Sequence, residues 1–152
     1  MNLENIDQYW MNHALSLARR AEEIGEVPIG AVIVIENEMV GEGWNQPIST
    51  SDPTAHAEII ALRQAAKRLS NYRLLNATLF VTLEPCAMCA GAMLHSRIKR
   101  LVFGASDPRT GAAGSVLNLL KPVLFNHTLE YNGGIMSDEC GEILKMFFQA
   151  RR

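Results

Sequence analysis

Four residues in this chain have types and spacings that could do chemistry together. His56 and Glu58 stand one alanine apart in "TAHAEIIAL", and thirty residues after His56 comes "LEPCAMC", which carries Cys86 and Cys89. Taken alone, each half is ambiguous. A histidine and a glutamate in a helical first turn are usually just solvated. A bare C-x-x-C is a redox pair, half of a zinc site, or chance. Cysteines three apart share a helix face, and the positive end of the helix dipole favours thiolate in the first turn. Thiolate and imidazole together are zinc ligands. Catalytic zinc commonly uses three protein ligands and a water, whereas structural zinc is usually closed by four. His56, Cys86 and Cys89 are therefore a candidate open site. Two thiolates and a neutral imidazole already balance Zn²⁺. A carboxylate ligand would make the site anionic and displace the water, so Glu58 is better used beside that water, as its base. Cys140 is the one remaining cysteine. It falls on an apolar helix face, where small buried cysteines are frequent. Were it a fourth ligand, the zinc would be structural. His13, His95 and His127 have no partner at metal spacing, and surface or core roles suit them.

For those side chains to meet, two helix starts must come to one place. Met11, Ala14, Leu17, Ala18, Ala21 and Ile24 recur at helical spacing, which predicts a helix over residues 7–24, ended by Gly25. "IGAVIVIE" (29–36) and "MVGEGWN" (39–45) read as a hairpin about a turn at Asn37–Glu38. The loop "QPISTSDP" follows. Asp52 is a plausible N-cap with Pro53 at the first helical position, for a helix running to about Leu69. A strand over 77–83, a helix over 85–96 and a strand over 100–105 come next. The turn-rich "SDPRTGAAGS" is a long loop of the kind that often carries function. A short strand around 127–131 and a helix over 137–151 end the chain. Strands alternating with helices after a hairpin imply a three-layer α/β/α fold in a single domain, residues 1–152. In such layers, helix starts that follow like-directed strands fall at one sheet edge, which would bring His56 to Cys86 and Cys89.

Composition sets the outer limits. The chain has 152 residues, 48% of them apolar and 20% charged, with a formal net charge of −2. That balance argues against long-range capture of nucleic acid by a basic whole, so any such binding needs a local patch. No apolar run approaches the ~20 residues that span a bilayer, so no membrane association is expected. The start "MNLENIDQYW" has neither a basic n-region nor an apolar h-region, so no signal peptide is expected. An odd number of cysteines fits a reducing cytoplasmic setting.

His-x-Glu followed by Pro-Cys-x-x-Cys resembles the signature of the zinc-dependent cytidine/deoxycytidylate deaminase superfamily, here as "HAE" at 56–58 and "PCAMC" at 85–89. Beyond it, "GEVPIGAV", "GWN", "DPTAHAEI", "NYRL", "TLEPCAMCAGAMLHSRI", "VFGASDPRTGAAGS" and "DEC" with a closing "FF" look like the bacterial tRNA-specific adenosine deaminases. The similarity covers nearly the whole chain. It implies a cytidine-deaminase-like fold with a five-stranded sheet, and a homodimer with one Zn²⁺ per subunit. It also implies hydrolytic deamination of the wobble adenosine in a tRNA anticodon stem-loop to inosine. By resemblance, Val27, Pro28 and Asn45, with the backbone of Ala57 and Glu84, line the pocket for a flipped-out purine. Asp107, Arg109 and Thr110, together with Phe148, would hold flanking nucleotides.

In the expected reaction, zinc lowers the pKa of its water from ~15.7 to about 7. The resulting hydroxide attacks C6 while Glu58 shuttles the proton to N1 and then to the leaving amino group. Arg109 is the foremost candidate for RNA contact. Lys67, Arg68, Arg73, Arg97, Lys99, Arg100, Arg151 and Arg152 are further basic candidates. Three rivals remain: a deaminase of free cytosine, cytidine or guanine; a non-catalytic zinc module; and a thiol oxidoreductase using Cys86 and Cys89.

Overall fold

The structure, a computed structural model, describes residues 2–122 and 124–152. Its order is α1 (Leu3–Glu23), β1 (Gly30–Ile35), β2 (Glu38–Trp44), α2 (Pro47–Thr50), α3 (Ala57–Leu69), β3 (Thr78–Leu83), α4 (Ala87–His95), β4 (Arg100–Ala105), β5 (Glu130–Asn132) and α5 (Ser137–Gln149). The five strands form one mixed sheet in the order β2-β1-β3-β4-β5. Strand β1 runs antiparallel to both β2 and β3, while β3, β4 and β5 are parallel. Consequently β2 points the same way as β3 although β1 lies between them. The C-terminal ends of β2, β3 and β4 and the N-terminal end of β1 meet at a single edge.

Helices cover both faces, as the alternation of elements predicts. On one face α3 and α4 bury Ala61, Leu62, Ala65 and Met93 against Ile33, Leu79 and Leu101. On the other, α1 and α5 bury Trp10, Met11, Leu17 and Cys140 against Val32, Phe80 and Val102. Each fully buried Leu, Ile or Met contributes about 1.5–3 kcal/mol. Close approach sets the height of α3 on the sheet. A Cβ at Gly43 would lie 2.5 Å from the Ala57 carbonyl, and one at Gly41 would lie 2.5 Å from that of Ala61. A side chain at Gly43 would lift the first turn of α3, the turn that carries Glu58.

Several boundaries differ from the sequence reading. Helix α1 starts at Leu3 because Asn2 accepts a hydrogen bond from the Asn5 amide (2.9 Å) and caps it. Ile24, expected on the apolar stripe, is 52% exposed. The hairpin turns at Glu36 and Asn37, whose φ values of 50° and 60° place both in the left-handed region; two such residues make the kind of turn that matches the right-handed twist of the flanking strands. Asp52 does not cap α3. Its carboxylate accepts from the amide (2.8 Å) and hydroxyl (2.7 Å) of Thr54, closing a local turn. Part of "QPISTSDP" becomes the short helix α2, with Pro47 in its first turn. The Gln46 amide then bonds the Ala55 carbonyl (3.0 Å), which keeps 55–56 extended and delays α3 to Ala57. Similarly, α4 begins after Cys86 and not at Pro85. The last strand lies at Glu130–Asn132, because His127 turns its ring to the Ile98 carbonyl (2.7 Å) just before it. Among the described residues, no helix is long and apolar enough to cross a membrane.

Candidate active site

The metal-type ligands sit at helix caps. His56 is the N-cap of α3 (φ −71°, ψ 153°) and Cys86 the N-cap of α4 (φ −76°, ψ 177°). Both are extended, and neither side chain caps its own helix. Each side chain therefore swings past the helix end toward the sheet edge. Cys89 follows three residues into α4 and is fully buried. His56 Nδ1 lies 3.5 Å from Cys86 Sγ and 3.5 Å from Cys89 Sγ. A tetrahedral ion with Zn–N near 2.05 Å and Zn–S near 2.3 Å separates N from S by about 3.6 Å. The three donor atoms all lie within 4.8 Å of one another, so the donor set and its spacing fit Zn²⁺. Cys140 gives no fourth ligand: it is packed on the opposite face of the sheet, against the backbone of Gly104.

Electrostatics agree with a cation site. A hydrogen bond from Cys89 holds the Cys86 thiol at about 4; partial burial opposes this and His56 adds to it. Cys89, the proton-bearing partner, is pushed upward by that same bond and by burial. His56 is raised, chiefly by its bond to Cys86. The three groups thus share protons that a bound divalent cation would release. Glu58, in the first turn of α3, is 4% exposed. Burial drives its carboxyl up to about 7; the Cys86 charge adds to this, while its own backbone amide, His56 and Cys89 oppose it. A carboxyl that titrates near neutrality can both take and return a proton.

His56, Cys86 and Glu58 line a cleft of about 910 Å³, while Cys89 is fully buried. The sheet itself makes room for it. The Gly30 amide bonds the buried Thr82 hydroxyl (3.2 Å) instead of a neighbouring strand's carbonyl, where β1 and β3 part. Ile29 and Leu83 line the gap beyond. Asn45, 7% exposed, accepts from the Ala57 amide through Oδ1 (2.9 Å). A backbone N–H requires the oxygen there, which fixes the amide and leaves its NH₂ as the end free to donate.

Of the substrate contacts implied by resemblance, Val27, Asn45, Glu84, Asp107, Arg109, Thr110 and Phe148 line this cleft. Pro28 and Ala57 do not. Pro28 is buried behind the wall that Val27 and Ile29 present. Ala57 is fully buried, and its amide is already taken by Asn45. Asp107 staples its own loop, accepting from the amides of Arg109 (2.9 Å) and Thr110 (3.2 Å) and the Thr110 hydroxyl (2.8 Å). Glu84, 3% exposed, clamps the same loop through its side chain. Sequence reasoning missed Leu144 and Lys145, which α5 contributes to the cleft, and also Glu26. Glu26 is 1% exposed and accepts from the amides of Ile48 (3.2 Å) and Ser49 (2.6 Å) at the start of α2, steadying the link between Asn45 and His56. Arg100 leaves the list of RNA-facing candidates, since it is held by a bidentate pair with buried Asp7 (2.9 and 2.7 Å). Arg109, Arg151 and Arg152 line the cleft, joined by Lys145; Arg151 also stacks on the Phe147 ring (3.5 Å) and donates to the Phe147 carbonyl (3.2 Å).

Comparison with known proteins agrees with this geometry. Residues 5–152 match the MafB19-like deaminase family. The tRNA-specific adenosine deaminase of Haemophilus influenzae is 60% identical over 147 residues, 96% of this chain and 85% of that protein. A solved chain from studies of A-to-I editing by tRNA:A34 deaminases at the wobble position of transfer RNA is 42% identical, with a TM-score of 0.86. It covers 90% of this chain, and the match spans 99% of its own length. The guanine deaminase of Bacillus subtilis is 38% identical with a TM-score of 0.63, over 70% of this chain and 66% of that one. The chain belongs to the MafB19-like deaminases and, within them, to the tRNA-specific adenosine deaminases.

Proposed function

We propose that this chain hydrolyses the wobble adenosine of a tRNA anticodon to inosine and ammonia. The observation that carries the reading is one cleft that joins a three-ligand zinc-type site, a buried carboxyl and four basic side chains. Zn²⁺ held by His56, Cys86 and Cys89, one per subunit, would supply a water acidified to near neutrality. Glu58 would accept one proton of that water and pass it to N1 of the purine as the water oxygen bonds C6; it would then take the remaining hydroxyl proton and hand it to the amino group, whose bond to C6 breaks to release ammonia. Asn45 donates from its NH₂ to an acceptor on the purine ring. Val27, Ile29 and Leu83 give the base an apolar seat that excludes bulk water. C6 cannot be reached inside a stack, and an anticodon loop offers unpaired bases at low cost. Asp107, Arg109, Thr110 and Phe148 receive the flanking nucleotides. Lys145, Arg151 and Arg152 join Arg109 in facing phosphate, which reconciles a net charge of −2 with an RNA substrate.

The working unit in this proposal is a cytoplasmic homodimer. The apolar side chains of Val116, Leu117, Leu124 and Phe125, each about half exposed, support a surface that a second copy covers. A second substrate reading is favoured by the likeness to a guanine deaminase, whose zinc chemistry would be the same. One experiment separates them: incubation of zinc-loaded protein with anticodon stem-loop RNA, free adenosine, cytidine and guanine, with ammonia and inosine measured. Inosine in the stem-loop is the expected product. Turnover of guanine or cytidine alone would overturn the RNA reading.

A further inference from the structure

We propose that Glu84 is a positioning residue whose carboxylate moulds the loop over residues 106–115 into the wall that receives RNA. This rests on the RNA reading above. Glu84 follows β3 directly, and its own amide bonds the Ala105 carbonyl (2.8 Å), so its backbone still belongs to the sheet. Its side chain belongs to the loop. Oε1 accepts from the Asp107 amide (3.0 Å) and the Ser115 hydroxyl; Oε2 accepts from the amides of Ala113 (2.9 Å) and Ser115 (3.1 Å). A carboxylate has about four acceptor sites, and all are filled, so this side chain has none left for a substrate. Both ends of the loop converge on one buried charge that has no cation partner among the described ion pairs. Backbone amides gathered on an anion form a concavity that neither backbone nor anion would hold alone.

Two further contacts make the clamp specific to this loop. A Cβ at Gly111 would fall on the Glu84 carboxylate, so glycine there admits the close approach. The Ala112 amide bonds the Pro85 carbonyl (2.8 Å), one residue before Cys86. The wall bearing Pro108, Arg109 and Thr110 is thereby fastened to the segment that bears a metal ligand. Any loop shape that suits RNA is referenced to the metal through Glu84.

The test uses zinc-loaded Glu84→Gln and Ser115→Ala. Glutamine keeps the size but turns an NH₂ toward amides that need an acceptor; Ser115→Ala removes one donor of four. Hydrogen bonds to a charged group are worth about 1.5–3 kcal/mol. Glu84→Gln should therefore raise KM for the anticodon stem-loop about tenfold or more. Its kcat should fall far less, with zinc retained. Amide exchange at Asp107, Ala113 and Ser115 should quicken by a similar factor. Ser115→Ala, which removes one bond to the carboxylate and leaves three, should move KM and exchange the same way, by about tenfold, and it still tests the clamp if Glu84→Gln fails to fold. Wild-type KM and exchange in Glu84→Gln would overturn the proposal. So would lost zinc and collapsed kcat at unchanged KM, which would put the residue's role in the metal segment. If the wild-type protein leaves the stem-loop untouched, the RNA reading fails, while exchange at the three amides still decides whether Glu84 holds the loop.

Discussion

The two sides of the cleft are built in different ways. On the metal side, every functional group sits on or beside a regular element: His56 and Cys86 at helix caps, Cys89 and Glu58 in first turns. Their positions follow from the depth of α3 and α4 in the core, which close approaches such as Gly43 to Ala57 set. On the loop side, residues 106–115 have little regular structure and are shaped by carboxylates, Asp107 from within and Glu84 from below. Chemistry requires placement within a few tenths of an ångström, and packed elements provide it. Recognition of a flexible polymer is served by a loop whose shape rests on a few exchangeable hydrogen bonds. The two sides should therefore respond differently to perturbation.

Removing the metal is the severest break. Chelation, or His56→Ala, should take deamination to background while the core of α1, α5 and the sheet stays folded. Cysteine chemistry then separates site from core. A Cys86 thiol held at about 4 is thiolate at any pH well above 4, and thiolate is the reactive form. Burial pushes Cys140 up to about 12, so it remains a thiol throughout the neutral range. Alkylation of chelated, folded protein at pH 7, read by mass spectrometry, should label Cys86 and spare Cys140. Labelling of Cys140 first would contradict the assignment of the two environments. Zinc-loaded protein should resist labelling at Cys86 as well.

Next in size is Glu58→Ala. General acid–base groups contribute about 10²–10⁴-fold, and a loss of that order in kcat is expected with zinc content unchanged. His56→Ala should lose both together. Metal analysis of the two variants side by side checks the division of roles. Near-normal inosine formation by Glu58→Ala would show that another group moves the proton.

What was legible in the sequence follows the same divide. Zinc chemistry restricts ligands to a few residue types, and a helix cap restricts where they can stand, so "HAE" and "PCAMC" could be read from spacing. Placing His56 and Glu58 two apart inside a helix would have turned them some 200° from each other. The structure avoids this, since His56 is extended and lies outside α3. The helix start was misread because Asp52 offers a local turn to Thr54 as readily as a cap to a helix. Only the long-range bond from Gln46 to Ala55 decides between them. Glu84 was visible as a residue but not as a clamp, because its donors lie 23 to 31 positions downstream. Leu144 carries no chemistry that a sequence pattern could single out, and only the packing of α5 brings it to the cleft.

The mildest perturbation sharpens the loop side alone. Arg109 is exposed, and its backbone amide is fixed by Asp107 (2.9 Å), so its guanidinium is free while its root is anchored. In the proposed function Arg109 contacts phosphate and reads no base. Its loss should weaken binding uniformly across anticodon sequences and leave kcat, zinc content and loop exchange at their wild-type values. Each neutralised phosphate on a single strand contributes a slope of about −0.7 to log K against log salt. Arg109→Ala should therefore flatten the salt dependence of stem-loop binding by roughly one such increment. Glu84→Gln removes no positive charge, so any slope change it causes reports Arg109 losing its phosphate as the loop loosens. An equal slope change in both variants would mean that Arg109 acts only as part of the folded loop. An unchanged slope in Arg109→Ala would remove it from the phosphate contacts and leave Lys145, Arg151 and Arg152 to carry them.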